Sequence, residues 1–229
     1  MFAGIIGSKG KILKIGVSRA TGKKNSLLVQ TPFKSVLKGE SVAIDGICLT
    51  VTEKRMKKSG AVCAFEFAEE TLKKTTAEKM CAGMEVNLER SLRMNDRISG
   101  HFVQGHIDGT GQILNIQPQE NSKQFSFSYP SFLQSFIVPK GSIAVNGVSL
   151  TVVDVSSESF SVTLLPFTEK NTSFHDKKTG DFINLEADIL AKTLAKQFQL
   201  YLNQQRSLEP LFQKKEVEWN QLMIEEGYQ

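Results

Sequence analysis

The sequence predicts an all-β fold made of two tandem copies of one module, followed by a C-terminal α-helix. Three observations lead to this prediction. The segment 41–51 returns as 142–152, at an offset of 101 residues. Short runs rich in Val, Ile, Thr and Phe are divided by Gly, Asn and Asp, which is typical of strands and tight turns. After Asp188, apolar residues recur at helical spacing.

The duplication covers most of the chain. Gly4 matches Gly105 at the same offset, and Asn87-Leu88-Glu89 matches Asn184-Leu185-Glu186 at an offset of 97, because the first copy carries four extra residues. A period near 100 residues is too long for a solenoid repeat, so we expect two tandem domains. The predicted parts are a first domain at 1–94, a second domain at 95–188 and a helical segment at 189–229.

Each copy contains a predicted β-hairpin. Its turn is Asp45-Gly46 in the first copy and Asn146-Gly147 in the second, because these residue types accept the positive φ angles of a tight turn. Two hairpins are therefore expected at matching positions.

A row of small polar side chains is predicted on the strand that leaves each hairpin. Because side chains alternate between the two faces, Cys48 and Thr50 share one face while aliphatic residues take the other. Ser149 and Thr151 form the equivalent row in the second copy. Such a row is a candidate ligand-facing surface, and the alternative is an ordinary exposed strand face.

Helices are predicted at four places. The segments 69–75 and 168–172 each favour one turn of helix, started by a Thr, Asp or Glu cap. An amphipathic helix follows Asp188, and we expect its apolar stripe to meet the same stripe of other subunits. Pro210 is a candidate first residue of a further helix in the tail. The stripe consists of Leu190, Leu194, Phe198 and Tyr201.

Composition excludes several classes of protein. The chain has 229 residues, of which 40% are hydrophobic and 23% charged, and its net charge of +4 is spread without the aromatic interleaving of nucleic-acid-binding modules. No apolar run reaches the roughly 18 residues of a membrane span. The opening residues lack a basic leader, so we expect a cytoplasmic protein. The three cysteines form no Cys-x-x-Cys pair, which argues against a disulfide framework or a metal site.

Four segments together resemble the riboflavin synthase family, α-chain type. They are the opening 1–5, the run 45–51, the run Ser99-Gly100-His101-Phe102-Val103-Gln104-Gly105-His106, and the run 147–152. The resemblance spans residues 1 to about 192. It implies two six-stranded Greek-key β-barrels and a C-terminal helix that gathers three chains into a homotrimer.

The resemblance also implies a reaction. Two molecules of 6,7-dimethyl-8-ribityllumazine dismutate: one donates a four-carbon unit to the other, giving riboflavin and 5-amino-6-(D-ribitylamino)uracil, without a metal or cofactor. This transferase reaction is the last step of riboflavin biosynthesis. The productive site is expected between the first barrel of one subunit and the second barrel of a neighbour, and lumazine synthase is a candidate partner. No nucleic acid or membrane is expected as a partner.

The chemistry calls for a base and a nucleophile. The C7 methyl group of one lumazine must lose a proton, and the other lumazine must be activated at C7 by a hydroxyl, a thiol or water. By resemblance, the candidate catalytic residues are Cys48, His106, Ser149 and Thr151. For His106 the alternative is a structural hydrogen bond between the barrels, and His101 is a weaker catalytic candidate. We expect the difference between Cys48 and Ser149 to assign donor and acceptor roles.

The predicted substrate-binding residues fall into matching segments. We expect 4–6 to share a site with 48–50 and 66–71, and 105–107 to share a site with 149–151 and 163–168. Phe2 either packs on the bound ring or belongs to the core. The full set is Phe2, Gly4, Ile5, Ile6, Cys48, Leu49, Thr50, Glu66, Phe67, Ala68, Glu69, Glu70, Thr71, Gly105, His106, Ile107, Lys140, Ser149, Leu150, Thr151, Thr163, Leu164, Leu165, Pro166, Phe167 and Thr168.

Two departures qualify the resemblance. Ala3 stands where the family usually has Thr, and Phe167 stands where it usually has Glu. The main rival is a binding protein that holds a lumazine or flavin as a fluorescent antenna and needs only one competent barrel. The polar row in both copies and the apolar helix stripe favour the enzyme. A third class, a nucleic-acid-binding β-barrel, would show salt-sensitive RNA binding.

Overall fold

The computed structural model describes residues 1–17, 22 and 24–204. The predicted helix that begins near Pro210 therefore lies outside the described residues. Met1–Ile189 forms one compact unit, and Leu190 begins a second. Within the described residues, no helix is both long enough and apolar enough to cross a membrane.

In the part of the chain that the structure describes, twelve antiparallel strands close into two barrels of six, which confirms the predicted fold class. The first barrel runs β1-β2-β5-β4-β3-β6 around its circumference, and the second runs β10-β11-β8-β7-β12-β9, which is the same cyclic order six strands later. The first barrel contains β1 (Ser8–Val17), β2 (Lys24–Thr31), β3 (Ser41–Ile44), β4 (Ile47–Lys57), β5 (Gly60–Glu66) and β6 (Glu85–Arg90). The second contains β7 (Gly109–Gln119), β8 (Ser122–Ser128), β9 (Ser142–Val145), β10 (Val148–Val155), β11 (Ser159–Leu164) and β12 (Phe182–Ala187).

Each barrel has its own apolar core, supplied by alternate residues of its strands. In β4 the buried residues are Ile47, Leu49 and Val51, with Cys48 and Thr50 between them more exposed. The second core is richer in aromatic rings: those of Phe127 and Phe160 lie 5.3 Å apart between centroids. Burying each large apolar side chain contributes about 1.5–3 kcal/mol, so two cores of this kind stabilise barrels of modest length.

The two predicted hairpins are confirmed. Asp45-Gly46 joins β3 to β4 with φ angles of 45° and 81°, and Asn146-Gly147 joins β9 to β10 with φ angles of 47° and 78°. The two turns also pack on each other. A Cβ atom on Gly46 would lie 2.7 Å from the backbone nitrogen of Gly147, and one on Gly147 would lie 2.8 Å from that of Gly46. Glycine is required there because the backbones of the two turns touch and leave no room for a side chain.

A buried polar network surrounds the paired turns. The side-chain amide of Asn87 donates to the backbone oxygen of Asn146 (2.9 Å), and that of Asn184 donates to the backbone oxygen of Asp45 (2.8 Å). The Asp45 carboxylate accepts from the backbone N–H of Asn87 (2.8 Å) and the hydroxyl of Ser173 (3.5 Å). Complete burial of this carboxyl group raises its pKa from 3.8 to about 6. These hydrogen bonds join the two barrels, and the two donor amides occupy matching positions in the two copies.

Short helices follow the fifth strand of each barrel. They are α1 (Glu69–Lys74) and α2 (Pro166–Asn171), so the second begins two residues earlier than predicted. The predicted caps are wrong: the N-cap residues are Ala68 and Leu165, and neither makes a side-chain cap bond. Pro166 instead has a fixed φ angle that suits the first turn of α2. Acidic residues lie in the first turn of both helices, where they interact favourably with the helix dipole.

A third helix, α3, covers residues 189–204. It confirms the predicted amphipathic helix after Asp188. The side chains of its apolar stripe are all more than half exposed in the single chain: Leu190, Leu194, Phe198 and Tyr201. The contact of this stripe with other subunits stays a prediction. Short 3₁₀ helices complete the elements at Thr76–Lys79, Ser131–Phe136 and Ser173–Asp176.

Candidate functional site

The polar row of each barrel continues across neighbouring strands. Paired residues of antiparallel strands lie on the same face of a sheet, so the strand register places four polar residues side by side on the outer face. In the first barrel Ser41 pairs with Thr50 and Glu66 pairs with Ser26, and the two pairs are joined because Val51, next to Thr50, pairs with Phe65, next to Glu66. In the second barrel Ser142 pairs with Thr151 and Thr163 pairs with Gln124, and the pair Val152–Val162 joins them in the same way. This face starts beside Cys48 or Ser149 and ends where α1 or α2 begins.

The N-terminal segment of each barrel lies against the polar strand of the other barrel. The backbone oxygen of Gly4 accepts from the N–H of Ser149 (2.8 Å), and that of Gly105 accepts from the N–H of Cys48 (2.9 Å). A Cβ atom on either glycine would come within 2.6 Å of the Cβ of Ser149 or Cys48. Both glycines have positive φ, which allows this close crossing.

This exchange corrects the predicted grouping of segments. We predicted that 4–6 share a site with Cys48 and that 105–107 share a site with Ser149. The structure reverses the pairing: Gly4 and its neighbours lie beside Ser149, and Gly105 and its neighbours lie beside Cys48. The prediction failed because it kept each segment with its own copy, whereas the twofold contact brings each segment onto the other copy.

Two buried carboxylates hold the segments around Gly4 and Gly105 that cross onto the other barrel, which are called the crossing segments. Glu89 accepts hydrogen bonds from the backbone N–H groups of Ala3 (2.7 Å) and Gly4 (3.0 Å). Glu186 accepts from those of Gln104 (2.7 Å) and Gly105 (2.9 Å). Burial raises the pKa of Glu89, and the backbone hydrogen bonds oppose that rise. Sequence reasoning assigned no role to either glutamate, although the repeated Asn-Leu-Glu triplet was the available signal.

His101 touches the candidate nucleophile of the second barrel. Its Nδ1 lies 2.7 Å from the hydroxyl oxygen of Ser149, and its side chain is only 8% exposed. Its Nε2 is buried and has no hydrogen-bond partner among the described residues. Burial lowers the pKa of His101, which favours the neutral ring near pH 7.

His106 stands in a different environment. It is exposed and follows Gly105, so it lies at the site of Cys48 and not at the site of Ser149. Ile5 takes the matching position beside Ser149 and is also exposed. The first candidate site therefore has an imidazole where the second has an aliphatic side chain.

The remaining predicted substrate-binding residues differ in how exposed their side chains are. Phe2 is fully buried in a cluster with Ala43, Val103 and Ala144, which supports the core alternative and leaves its side chain no free face for a ligand ring. Several others point into the barrels, so only their backbone groups can face a ligand: Leu49, Phe67, Leu150 and Leu164. The exposed ones are Thr50, Glu66, Ala68, Glu69, Glu70, Lys140, Thr151, Thr163, Leu165, Pro166 and Phe167, while Ile6, Thr71, Ile107 and Thr168 are half-buried.

The departures from the family pattern lie in different surroundings. Ala3 is buried, and its backbone N–H is one of the two that donate to Glu89. Phe167 is 79% exposed on the first turn of α2. At the matching point of α1, Glu70 pairs with Lys74 at 2.7 Å. The three cysteines are unpaired thiols, and no metal-holding cluster of His, Cys, Asp or Glu occurs within the described ranges.

These features define a class: a double β-barrel with two related candidate sites, one beside a cysteine and one beside a serine. A model of the lumazine binding domain matches the chain twice, at residues 3–91 and 104–188. The chain therefore belongs to the lumazine-binding family that contains the riboflavin synthases, since its similar relatives carry that name.

Two of these relatives are bacterial. Riboflavin synthase of Actinobacillus pleuropneumoniae is 40% identical over 197 residues, covering 84% of this chain and 87% of the relative. Riboflavin synthase of Bacillus subtilis (strain 168) is 36% identical over 195 residues, covering 84% and 87%. Among solved structures, LumP complexed with riboflavin matches with a TM-score of 0.72 and 25% identity, covering 82% of this chain and 99% of that one. LumP complexed with 6,7-dimethyl-8-(1'-D-ribityl) lumazine matches with a TM-score of 0.70 at 24% identity, with the same coverage.

Proposed function

We propose that the chain is a riboflavin synthase, which converts two molecules of 6,7-dimethyl-8-ribityllumazine into riboflavin and 5-amino-6-(D-ribitylamino)uracil. The observation that carries this proposal is that both barrels keep a complete polar row next to a crossing segment, with a thiol in one site and a hydroxyl in the other. A reaction between two copies of one substrate requires two such sites.

Each barrel would bind one lumazine along its polar row. Backbone groups of the crossing segment and the residues at the start of α1 or α2 complete each site. Holding two reactants in a productive orientation is worth roughly 7–11 kcal/mol in favourable cases, so alignment supplies much of the proposed acceleration. The exposed imidazole of His106 is the proposed base for the C7 methyl group, because a neutral imidazole has a ring nitrogen that can accept a proton.

Assembly and location form part of the proposal. Each chain carries one site of each kind, and a neighbouring subunit would bring a first-barrel site to face a second-barrel site. The exposed apolar stripe of α3 supports a homotrimer, because a face of this kind is stable when another surface covers it. We retain domain boundaries after residues 94 and 188, a cytoplasmic location and lumazine synthase as a candidate partner. Unpaired thiols are in keeping with a reducing compartment.

A pure binding protein is the alternative. LumP, whose structures include complexes with a lumazine and with riboflavin, has the same fold. Retention of Cys48, Ser149 and both crossing segments favours the enzyme, because a binding protein needs only one intact site.

The proposed activity is tested with the substrate alone. Purified full-length protein is incubated with 6,7-dimethyl-8-ribityllumazine, with no added metal or cofactor, while visible flavin absorbance and product stoichiometry are followed. We expect one riboflavin for every two lumazines consumed. Tight lumazine binding without turnover would reject the enzyme and favour the binding protein.

A further inference from the structure

The two polar rows end in different surroundings. At the end next to α1, the first barrel has three acidic residues: Glu66, Glu69 and Glu70. The residues at the matching positions of the second barrel are uncharged: Thr163, Pro166 and Phe167. The two related candidate sites therefore differ in charge and in polarity at this end.

Two large apolar side chains are exposed at the end of the second row, and they are called the apolar pair. They are Leu165, which is 60% exposed, and Phe167, which is 79% exposed. Leu165 is extended and directly follows β11, so alternation places it on the outer face that carries Thr163. Helix side chains lean towards the helix N-terminus, so Phe167, in the first turn of α2, leans back towards Leu165. At the matching positions, the first copy has the small Ala68 and the charged Glu70.

An ion pair holds α2 at the end of the second row. Nζ of Lys123 lies 2.5 Å from a carboxylate oxygen of Glu169 in α2. Lys123 is the neighbour in β8 of Gln124, the residue with which the row ends. The residue of α1 that matches Glu169 is the buried Leu72, so α1 is held in a different way. The apolar pair is therefore fixed beside the row, although its side chains are mostly exposed.

The flavin product matches the apolar pair better than the lumazine substrate does. Riboflavin carries the same ribityl chain and the same two nitrogen-containing rings as the lumazine, and in addition a dimethylbenzene ring. Leu165 and Phe167 can cover the apolar surface of this third ring, and an aromatic side chain adds the attraction between two rings. A carboxylate such as that of Glu70 would lose hydration against the same ring.

We propose that the apolar pair makes the second-barrel site selective for the flavin, so that riboflavin competes with the lumazine substrate chiefly at the second barrel. Phe167 supplies the larger part of this selectivity, because it offers an exposed aromatic face. The first barrel, with Glu70 at the matching position, discriminates less between the two ligands. This inference rests on the proposed function and extends it, because it names the residues that set the balance between product and substrate.

Exchange of the matching residues tests this role. Riboflavin binding to the full-length protein is measured by fluorescence titration, and the apparent KM for 6,7-dimethyl-8-ribityllumazine is measured from initial rates. We expect Phe167→Glu to raise the riboflavin Kd of one site about 3–10-fold, with less than about a twofold change in KM. We expect Glu70→Phe to lower the riboflavin Kd of the other site. Phe132→Glu is the matched control, because Phe132 is 58% exposed and follows the end of β8 opposite to Lys123.

A neutral variant separates the loss of the ring from the gain of a charge. Phe167→Gln removes the aromatic ring without adding a carboxylate. We expect it to raise the riboflavin Kd nearly as much as Phe167→Glu does. A riboflavin Kd equal to that of the unchanged protein would show that the added charge alone weakens binding, which would overturn the role of the ring.

Three results for Phe167→Glu would also overturn the inference: an unchanged riboflavin Kd, an equal rise in the riboflavin Kd and the lumazine KM, or a smaller sedimenting mass. The last result would mean that a second copy of the chain, and not a flavin, covers the apolar pair. If the unchanged protein binds riboflavin but forms none from the lumazine, the proposed function fails, while the titrations still test the apolar pair.

Discussion

Asp45 is a buried acidic residue whose counterpart in the second copy is uncharged. The matching residue is Asn146, whose side-chain oxygen accepts from the backbone N–H of Asn184 (2.8 Å), just as the Asp45 carboxylate accepts from that of Asn87. A side-chain amide can therefore accept the same backbone hydrogen bond that the Asp45 carboxylate accepts. We predict that Asp45→Asn stabilises the protein at neutral pH.

The magnitude follows from the pKa of the buried group. Burial raises the pKa of Asp45 from 3.8 to about 6, so the folded state holds the proton more tightly than the unfolded state. Stability is greatest when the group is protonated in both states, falls as pH rises from about 4 to about 6, and then stays constant. The pKa difference corresponds to about 3 kcal/mol at pH 7.5, which sets the upper limit of the gain. For a chain of this length, that corresponds to a rise of roughly 6–12 °C in Tm.

The assay compares unfolding at two pH values. Urea unfolding of the unchanged protein, Asp45→Asn and Asn146→Asp is followed by circular dichroism at pH 4 and pH 7.5. We expect Asp45→Asn to be more stable at pH 7.5 and close to the unchanged protein at pH 4. Asn146→Asp places a second carboxyl group at the matching buried position, so it should lose stability at pH 7.5. The difference in unfolding free energy between two variants excludes the contributions of the other carboxyl groups, because the variants share those groups.

Two results would contradict this prediction: Asp45→Asn is no more stable than the unchanged protein at pH 7.5, or its gain is equally large at pH 4. The first result would mean that the Asp45 carboxylate contributes more through its hydrogen bonds than its burial costs. The second would mean that the effect has no connection with ionisation.

Three other variants test the sites. Gly105→Ala should abolish most activity and lower the free energy of unfolding by more than Gly39→Ala does. Both glycines have positive φ, which costs an alanine about 1–2 kcal/mol. Only at Gly105 would the added Cβ also lie against Cys48. Similar unfolding midpoints for these two variants would contradict the close contact. Glu89→Gln should lower the free energy of unfolding in urea by about 1–3 kcal/mol, because one carboxylate oxygen that accepts from Ala3 or Gly4 becomes an amide N–H₂, which donates and cannot accept. An unchanged unfolding midpoint would contradict this role of Glu89. Cys48→Ser keeps a nucleophile of similar size, so unchanged turnover would exclude a thiolate role for Cys48.

Much of the fold could be predicted because its signals are local. The turn dipeptides such as Asp45-Gly46 specify hairpins through backbone geometry, and the alternation around Cys48 separates the core face from the polar face. The helix after Asp188 was visible from its spacing alone. The caps of α1 and α2 were wrong because Ala68 and Leu165 start those helices without a side-chain bond.

The candidate site was harder to predict because it depends on contacts between residues far apart in sequence. The partnership of His101 with Ser149 joins residues 48 positions apart, and the contact of Gly4 with Ser149 joins the two copies. No local pattern contains either contact. A repeat also suggests that each copy is self-contained, which is why the sequence led to the wrong grouping of segments.

The crossing of Gly4 and Gly105 bears on the ancestry of the molecule. The N-terminal segment of each barrel contacts the polar strand of the other barrel, so the same exchange occurs in both directions. A hypothetical single-barrel ancestor with this arrangement would complete its site only by pairing with a second identical chain. Gene fusion of such a symmetric dimer would preserve both exchanges within one polypeptide. It would also free the two halves to diverge, as Cys48 and Ser149 have done.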